Sequence, residues 1–242
     1  MIDFVGYGRR MAVVVDECVG ARGLVGVYVH GSAVLGGFRP ERSDVDVLVV
    51  VVEPVPPDRQ AALGAALLTA AYPCPGIGLE LSVITTATAA DLGECRFEVH
   101  VATPDHVATG AGHPGDDDLI LYAEVCRRSG LAAVGPAPAS VFGVVPRPRL
   151  VTTMLAELAW GASSAPFEYA VLNACRALRF AADGTLRSKV AGGEWYLAGH
   201  PDDEVVRAAL ARQRGNDAAE PTRDDVLEFV DAARNRIGQA SR

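Results

Sequence analysis

The spacing of apolar and polar positions changes partway along this chain. In the first half the runs are short and strand-like. Val25-Gly26-Val27-Tyr28-Val29-His30 puts a β-branched residue at every second position and predicts a strand over 25–30. Val45 to Val52 is apolar except for Asp46 and predicts a strand over 45–52. Leu79-Glu80-Leu81-Ser82-Val83 alternates and predicts a strand over 79–85; Arg96-Phe97-Glu98-Val99-His100-Val101 alternates in the same way. Helical segments are predicted over 9–19, 32–36 and from Asp58 to Ala71. Another runs from the acidic Asp116-Asp117-Asp118 through Arg128, with acids at the positive end of its dipole and arginines at the negative end. Beyond Pro136 to Pro148, a stretch with four prolines that reads as a linker, only helical spacing remains: 149–161, 167–182, 188–198, 202–213 and 222–237. The pattern predicts an α/β (α+β) domain with a mixed sheet over residues 1–145, followed by an all-α bundle over 146–242.

Two features at the mouths of these strands carry chemistry. Asp44 and Asp46, in Ser43-Asp44-Val45-Asp46-Val47, are spaced i, i+2 where a strand begins. Such residues project from one face, roughly 7 Å apart at the backbone. Like charges that close raise one another's pKa unless a cation intervenes, and oxygen-only ligands suit Mg²⁺. Two metal ions about 3.5–4 Å apart are a known device for in-line phosphoryl-type displacement. Ahead of the pair, Gly31-Ser32 ends the first strand and opens a short helix with Ser32 as the expected N-cap. A helix N-terminus offers free N–H groups to phosphate, and glycine lets the backbone come close. A D-x-D pair alone also describes two solvated acids. The ordered combination of strand, Gly-Ser, helix, D-x-D and strand is far more specific.

That combination resembles the nucleotidyltransferase superfamily of the DNA polymerase β type. The rest of the chain is similar to the streptomycin/spectinomycin adenylyltransferases. Gly78-Leu79-Glu80-Leu81-Ser82 looks like their strand with the third acid. Asp118-Leu119-Ile120-Leu121 … Val134-Gly135-Pro136 … Val141-Phe142-Gly143 looks like the segment closing their catalytic domain, and Val171-Leu172-Asn173-Ala174-Cys175-Arg176 with Ser188-Lys189-Val190-Ala191-Gly192-Gly193-Glu194-Trp195 like their helical domain. The resemblance runs from about residue 25 to 200. It implies adenylyl transfer from ATP, with Mg²⁺ (two ions), to a hydroxyl of an aminoglycoside or aminocyclitol. It further implies that Asp44 and Asp46 are catalytic metal ligands, that Gly31, Ser32, Arg176 and Lys189 hold the triphosphate, and that Glu80 is the general base or a third metal ligand, also touching substrate. Lys189 is the one lysine in the chain. Trp160 matches the family's drug-contacting Trp, although a core role fits it equally. Of the family's two downstream acids only Glu168 offers a counterpart, which favours a spectinomycin-type acceptor over streptomycin. The ligands are expected between the two domains. Trp195 and His30 read as packing residues, and His100, His106, His113 and His200 show no metal-binding spacing.

Charge narrows the partners. Residues 1–145 hold 9 basic and 17 acidic residues, whereas 146–242 hold 13 of each, so the whole net charge of −8 lies in the first part. Nucleic-acid binders present a basic stripe; this chain fits a cationic small molecule and metal ions. No apolar run is long enough to span a membrane. Five dispersed cysteines without a C-x-x-C pair suit reduced thiols in the cytoplasm. A monomer is the default expectation. Two rivals stay open: a transferase of this fold acting on another metabolite or a macromolecule, and a non-catalytic nucleotide-binding regulatory module.

Overall fold

Six strands, β1 (Leu24–Val29), β2 (Val45–Val51), β3 (Leu79–Thr85), β4 (Val99–Ala102), β5 (His106–Thr109) and β6 (Leu131–Val134), form one mixed sheet in the order β5-β4-β3-β2-β1-β6. The computed structural model describes residues 2–20, 23–68 and 71–240. The chain divides into two compact units, the first ending at Val145 and the second beginning at Pro146.

Among the described residues of the first unit, only β2 and β3 run parallel, and the other pairings are antiparallel. A parallel pair needs a crossover, and helix α3 (Pro57–Leu67) lies within it. One sheet face carries Val27, Val29, Val45, Val47, Val49, Leu79, Leu81, Val83, Val99 and Val101. It packs beneath α3 and α1 (Phe4–Val19), whose Tyr7, Met11 and Val15 are buried against it. The opposite face buries Tyr28, Leu48, Val50, Ser82 and Ile84. Helix α5 (Asp118–Ser129) contacts β2 on that side. Because both faces are covered, Val47 to Val51 is buried at every position, and a continuous apolar run replaces alternation.

The departures from the expected elements are local. Helix α1 starts at Phe4 instead of residue 9, because the Asp3 carboxylate caps it by accepting from the Gly6 N–H at 2.8 Å. Helix α3 stops at Leu67, where Leu68 turns extended; the expected continuation to Ala71 includes residues 69 and 70, which lie outside the described residues. The alternating stretch 96–101 contributes only its end to β4, and β5, β6 and the five-residue helix α4 (Thr86–Ala90) are additions.

The second unit comprises α6 (Arg147–Ser164), α7 (Phe167–Asp183), α8 (Lys189–Gly199), α9 (Glu204–Gln213) and α10 (Arg223–Ala240). Helix α7 touches each of the other four. Its residues Ala170 to Cys175, Ala177, Leu178 and Phe180 are accordingly buried around most of its circumference, as expected of a central helix.

Candidate active site

The parallel register pairs Asp46 directly with Glu80. Val45 and Val47 point into the valine core at 0% exposure, so Asp46 must point to the other face, where it is half-buried. Asp44 lies just ahead of β2 and is exposed. The ladder extends alongside it, since the Val45 N–H donates to the Gly78 carbonyl at 2.8 Å. Two glycines leave room for the two carboxylates. A Cβ on Gly31 would overlap the Asp46 carboxylate, and one on Gly78 would overlap Asp44 Oδ1.

Gly31 also makes the turn. The His30 N–H donates to the Asp46 carbonyl at 2.9 Å, and the chain then reverses at φ +58°, ψ −138°. That conformation belongs to glycine. Helix α2 (Ser32–Leu35) begins at once, with Gly31 as its N-cap and no side-chain cap. The expectation that Ser32 caps this helix is therefore corrected: the reversal is complete one residue earlier, and Ser32 is the first helical residue. Its N–H points at Asp46 Oδ2, 3.4 Å away.

Glu80 is held from α5, where the Tyr122 hydroxyl donates to Glu80 Oε1 at 2.5 Å. Burial and the adjacent Glu80 carboxylate raise the Tyr122 pKa well above its ordinary value, so the phenol stays protonated. The Tyr122 ring lies 5.0 Å from the His30 ring. His30 is 2% exposed, and burial lowers its pKa to about 3, which keeps the imidazole neutral. Among the described residues, no group of three or more His, Cys, Asp or Glu is arranged to hold a metal.

A second cluster forms within the helical unit. Glu157 on α6 accepts from Tyr169 Oη at 3.0 Å, Asn173 Nδ2 at 3.1 Å and Arg176 Nη2 at 3.4 Å. Positions 169, 173 and 176 share one face of α7 by helical spacing. Lys189 Nζ sits 4.0 Å from the centre of the Tyr169 ring, in cation–π geometry. Gly192 lets α8 approach α7, because a Cβ there would lie 2.8 Å from the Arg176 nitrogen. Trp160, one turn beyond Glu157, packs edge-on to Tyr169 at 5.9 Å yet is 55% exposed, which corrects the core alternative for it. Glu168 is half-buried in the first turn of α7, one position from that face. Arg176, Lys189 and Trp160 are thus brought together around Tyr169. Four participants escaped the sequence reading: Tyr122, Glu157, Tyr169 and Asn173. The signal for Tyr122 was a single phenol in an otherwise aliphatic helix face.

Both units match known sequence families. Residues 15–70 match the nucleotidyltransferase domain, and residues 140–236 match the C-terminal domain of aminoglycoside adenylyltransferase. The chain thus resembles the aminoglycoside adenylyltransferases, through a nucleotidyltransferase domain followed by their C-terminal domain. Among its relatives, an aminoglycoside (3'')(9) adenylyltransferase of Klebsiella pneumoniae is 26% identical, over 88% of this chain and 87% of that protein. A spectinomycin 9-adenylyltransferase of Staphylococcus aureus is 28% identical, over 78% and 77%. The fold is shared with the crystal structure of a spectinomycin adenyltransferase from Enterococcus faecialis, solved with ATP and spectinomycin. The TM-score is 0.69 at 17% identity, covering 95% of this chain and 99% of that one.

Gly31, Ser32, Asp44 and Asp46 fall inside the nucleotidyltransferase match, and Glu157 through Lys189 inside the C-terminal match. The donor set fits Mg²⁺. That ion keeps several waters and takes one or two carboxylates plus phosphate oxygens, so it does not require a protein cage. Two aspartates on one sheet face, each backed by a glycine, meet that requirement.

Proposed function

We propose that this protein is a Mg²⁺-dependent O-adenylyltransferase that moves AMP from ATP to a hydroxyl of an aminoglycoside or aminocyclitol, with a spectinomycin-type acceptor ahead of streptomycin. One arrangement carries the reading: Asp46 and Glu80 stand side by side across β2 and β3, with the Gly31-Ser32 turn pressed against Asp46. Asp44 and Asp46 are the residues that would hold the ions, Gly31 and Ser32 take the terminal phosphates, and Arg176 and Lys189 neutralise triphosphate charge. Magnesium, when bound there, would offset the charge on the phosphate oxygens.

Glu80 takes the proton of the acceptor hydroxyl. The freed oxygen bonds to the α-phosphorus of ATP. The bond from that phosphorus to the bridging oxygen breaks, and pyrophosphate leaves with the electron pair. Positioning and charge stabilisation supply most of the acceleration in such transfers. The acidic character of residues 1–145 suits a cationic acceptor, and the names of the relatives point the same way. None of the five cysteines is in a disulfide, which suits a reducing cytoplasm.

The test is incubation with Mg²⁺, ATP and a panel of aminocyclitols and aminoglycosides, read by mass spectrometry and by pyrophosphate release. Spectinomycin is expected to gain the mass of one AMP. Pyrophosphate release with no modified panel member would move the activity to another acceptor. Absence of both would refute the proposal.

A further inference from the structure

We infer that Glu157 is a positioning residue for Arg176, its carboxylate setting the guanidinium in the orientation that meets the triphosphate. The inference rests on the reading of Arg176 as a triphosphate contact, and Glu157 acts through it.

An arginine side chain is among the costliest to order. A phosphate contact made by a freely turning guanidinium loses that freedom when the ligand arrives, and the loss is taken from affinity. At Arg176 the protein itself supplies the order. Nη2 lies 3.4 Å from Glu157 Oε1 and 3.5 Å from Oε2, so it straddles the carboxylate. The pair is partly withdrawn from water, with the two side chains 23% and 14% exposed, and solvent screens it less than a surface pair. Among the described residues the ion pair of Arg176 uses Nη2 alone. A guanidinium is a planar fork of five N–H donors. Fixing one corner aims the rest, and those remain for phosphate oxygens.

The anchor is itself fixed. Glu157 Oε1 also accepts from Tyr169 Oη at 3.0 Å and from Asn173 Nδ2 at 3.1 Å. Both contacts are shorter than those of Arg176, so α7 sets the place of the carboxylate independently of the cation. Tyr169 stays a donor, because burial and the Glu157 charge raise its pKa. Asn173 is buried, and so are Cys175 and Ala177 on either side of Arg176. Gly192 brings α8 up to the Arg176 backbone. Two neutral donors therefore hold the carboxylate and leave its charge for Arg176. Packing alone does not account for the arrangement, since apolar side chains of similar volume join helices as well as a buried ion pair does.

The experiment measures MgATP binding by calorimetry, without acceptor, for wild type, Glu157→Gln, Arg176→Gln and the double variant. Glutamine keeps the reach of the side chain and an oxygen for Tyr169 and Asn173, and it removes the charge. Expected is a roughly 3- to 30-fold weaker Kd in Glu157→Gln, the scale of ordering one long side chain. The same change in the Arg176→Gln background is expected to cost nothing further. Unchanged binding in Glu157→Gln overturns the inference. So does tighter binding, which a carboxylate that merely repels phosphate would give. Equal losses in both backgrounds overturn it too, because a structural role of Glu157 does not depend on Arg176. A second measurement needs no Glu157 variant to fold: NMR of the guanidinium nitrogens in wild type without nucleotide, with the Arg176 signal assigned by its loss in Arg176→Lys. Rotation about its Nε–Cζ bond is expected to be slower than in a solvated arginine, and equally fast rotation overturns the inference. A wild type that binds no MgATP overturns the inference together with the proposed function. One that binds MgATP with the expected coupling and modifies no acceptor fails the proposed acceptor and keeps the positioning role.

Discussion

Replacing Gly31 by alanine separates two costs that coincide at this residue. The backbone there stands at φ +58°, ψ −138°, a conformation that costs a residue with a Cβ about 1–3 kcal/mol. In addition the new methyl would occupy the position of the Asp46 carboxylate. Gly36, at the other end of the same short helix, isolates the first cost. It also has positive φ, +80° with ψ 36°, but a Cβ there meets nothing within 4 Å. Gly36→Ala is expected to lose about 1–2 kcal/mol from the left-handed backbone alone. Gly31→Ala is expected to lose at least as much. At the size of this chain, losses on this scale lower Tm by roughly 2–12 °C. The difference lies in catalysis: Gly36→Ala retains AMP transfer per folded molecule, whereas Gly31→Ala loses it, because Asp46 is turned from the position it shares with Glu80. Thermal melts paired with kcat/KM below the melting range decide the matter. A Gly31→Ala enzyme as active as Gly36→Ala would refute the claim that this glycine exists to make room for Asp46.

Asp44→Asn and Asp46→Asn are expected to abolish Mg²⁺-dependent AMP transfer while leaving circular dichroism and Tm close to wild type; full activity in either variant would refute its role as a metal ligand. His30 contributes a pH dependence to stability. Its folded pKa of about 3 lies below the ordinary 6.5, so the unfolded chain binds the proton first. The stability gained by burying the neutral ring is complete above about pH 6.5. It is lost as pH falls toward 3, by up to about 1.4 kcal/mol per unit. Urea titrations between pH 7 and 4 should show a shallower decline for His30→Phe than for wild type, and parallel slopes would contradict this.

Local pattern revealed most of the helices and the central strands, because each buries its own stripe or run. The five helices from α6 to α10 lie near their expected ranges, and Asp44, Asp46 and Glu80 were legible as acids interrupting apolar strands. The short edge strands were not legible. Leu131-Ala132-Ala133-Val134 and His106-Val107-Ala108-Thr109 hold too few β-branched residues to signal a strand, and they exist because β1 and β4 offer free edges to pair with. Glu157 gave no signal either. It sits in a helix like any solvated acid, and only the packing of α6 on α7 places Tyr169, Asn173 and Arg176 around it.

Chain order and residue type alone determined where the central strands and most of the helices run, that an acidic pair follows a Gly-Ser turn, and that the first 145 residues carry the net negative charge. Tertiary structure alone decided that Asp46 faces Glu80, that Gly31 and not Ser32 begins the short helix, and that Glu80 is gripped by a tyrosine from α5. Periodicity describes how a residue relates to its neighbours along the chain. Register between strands, and the approach of a helix to a sheet, are fixed only when both faces find their packing partners.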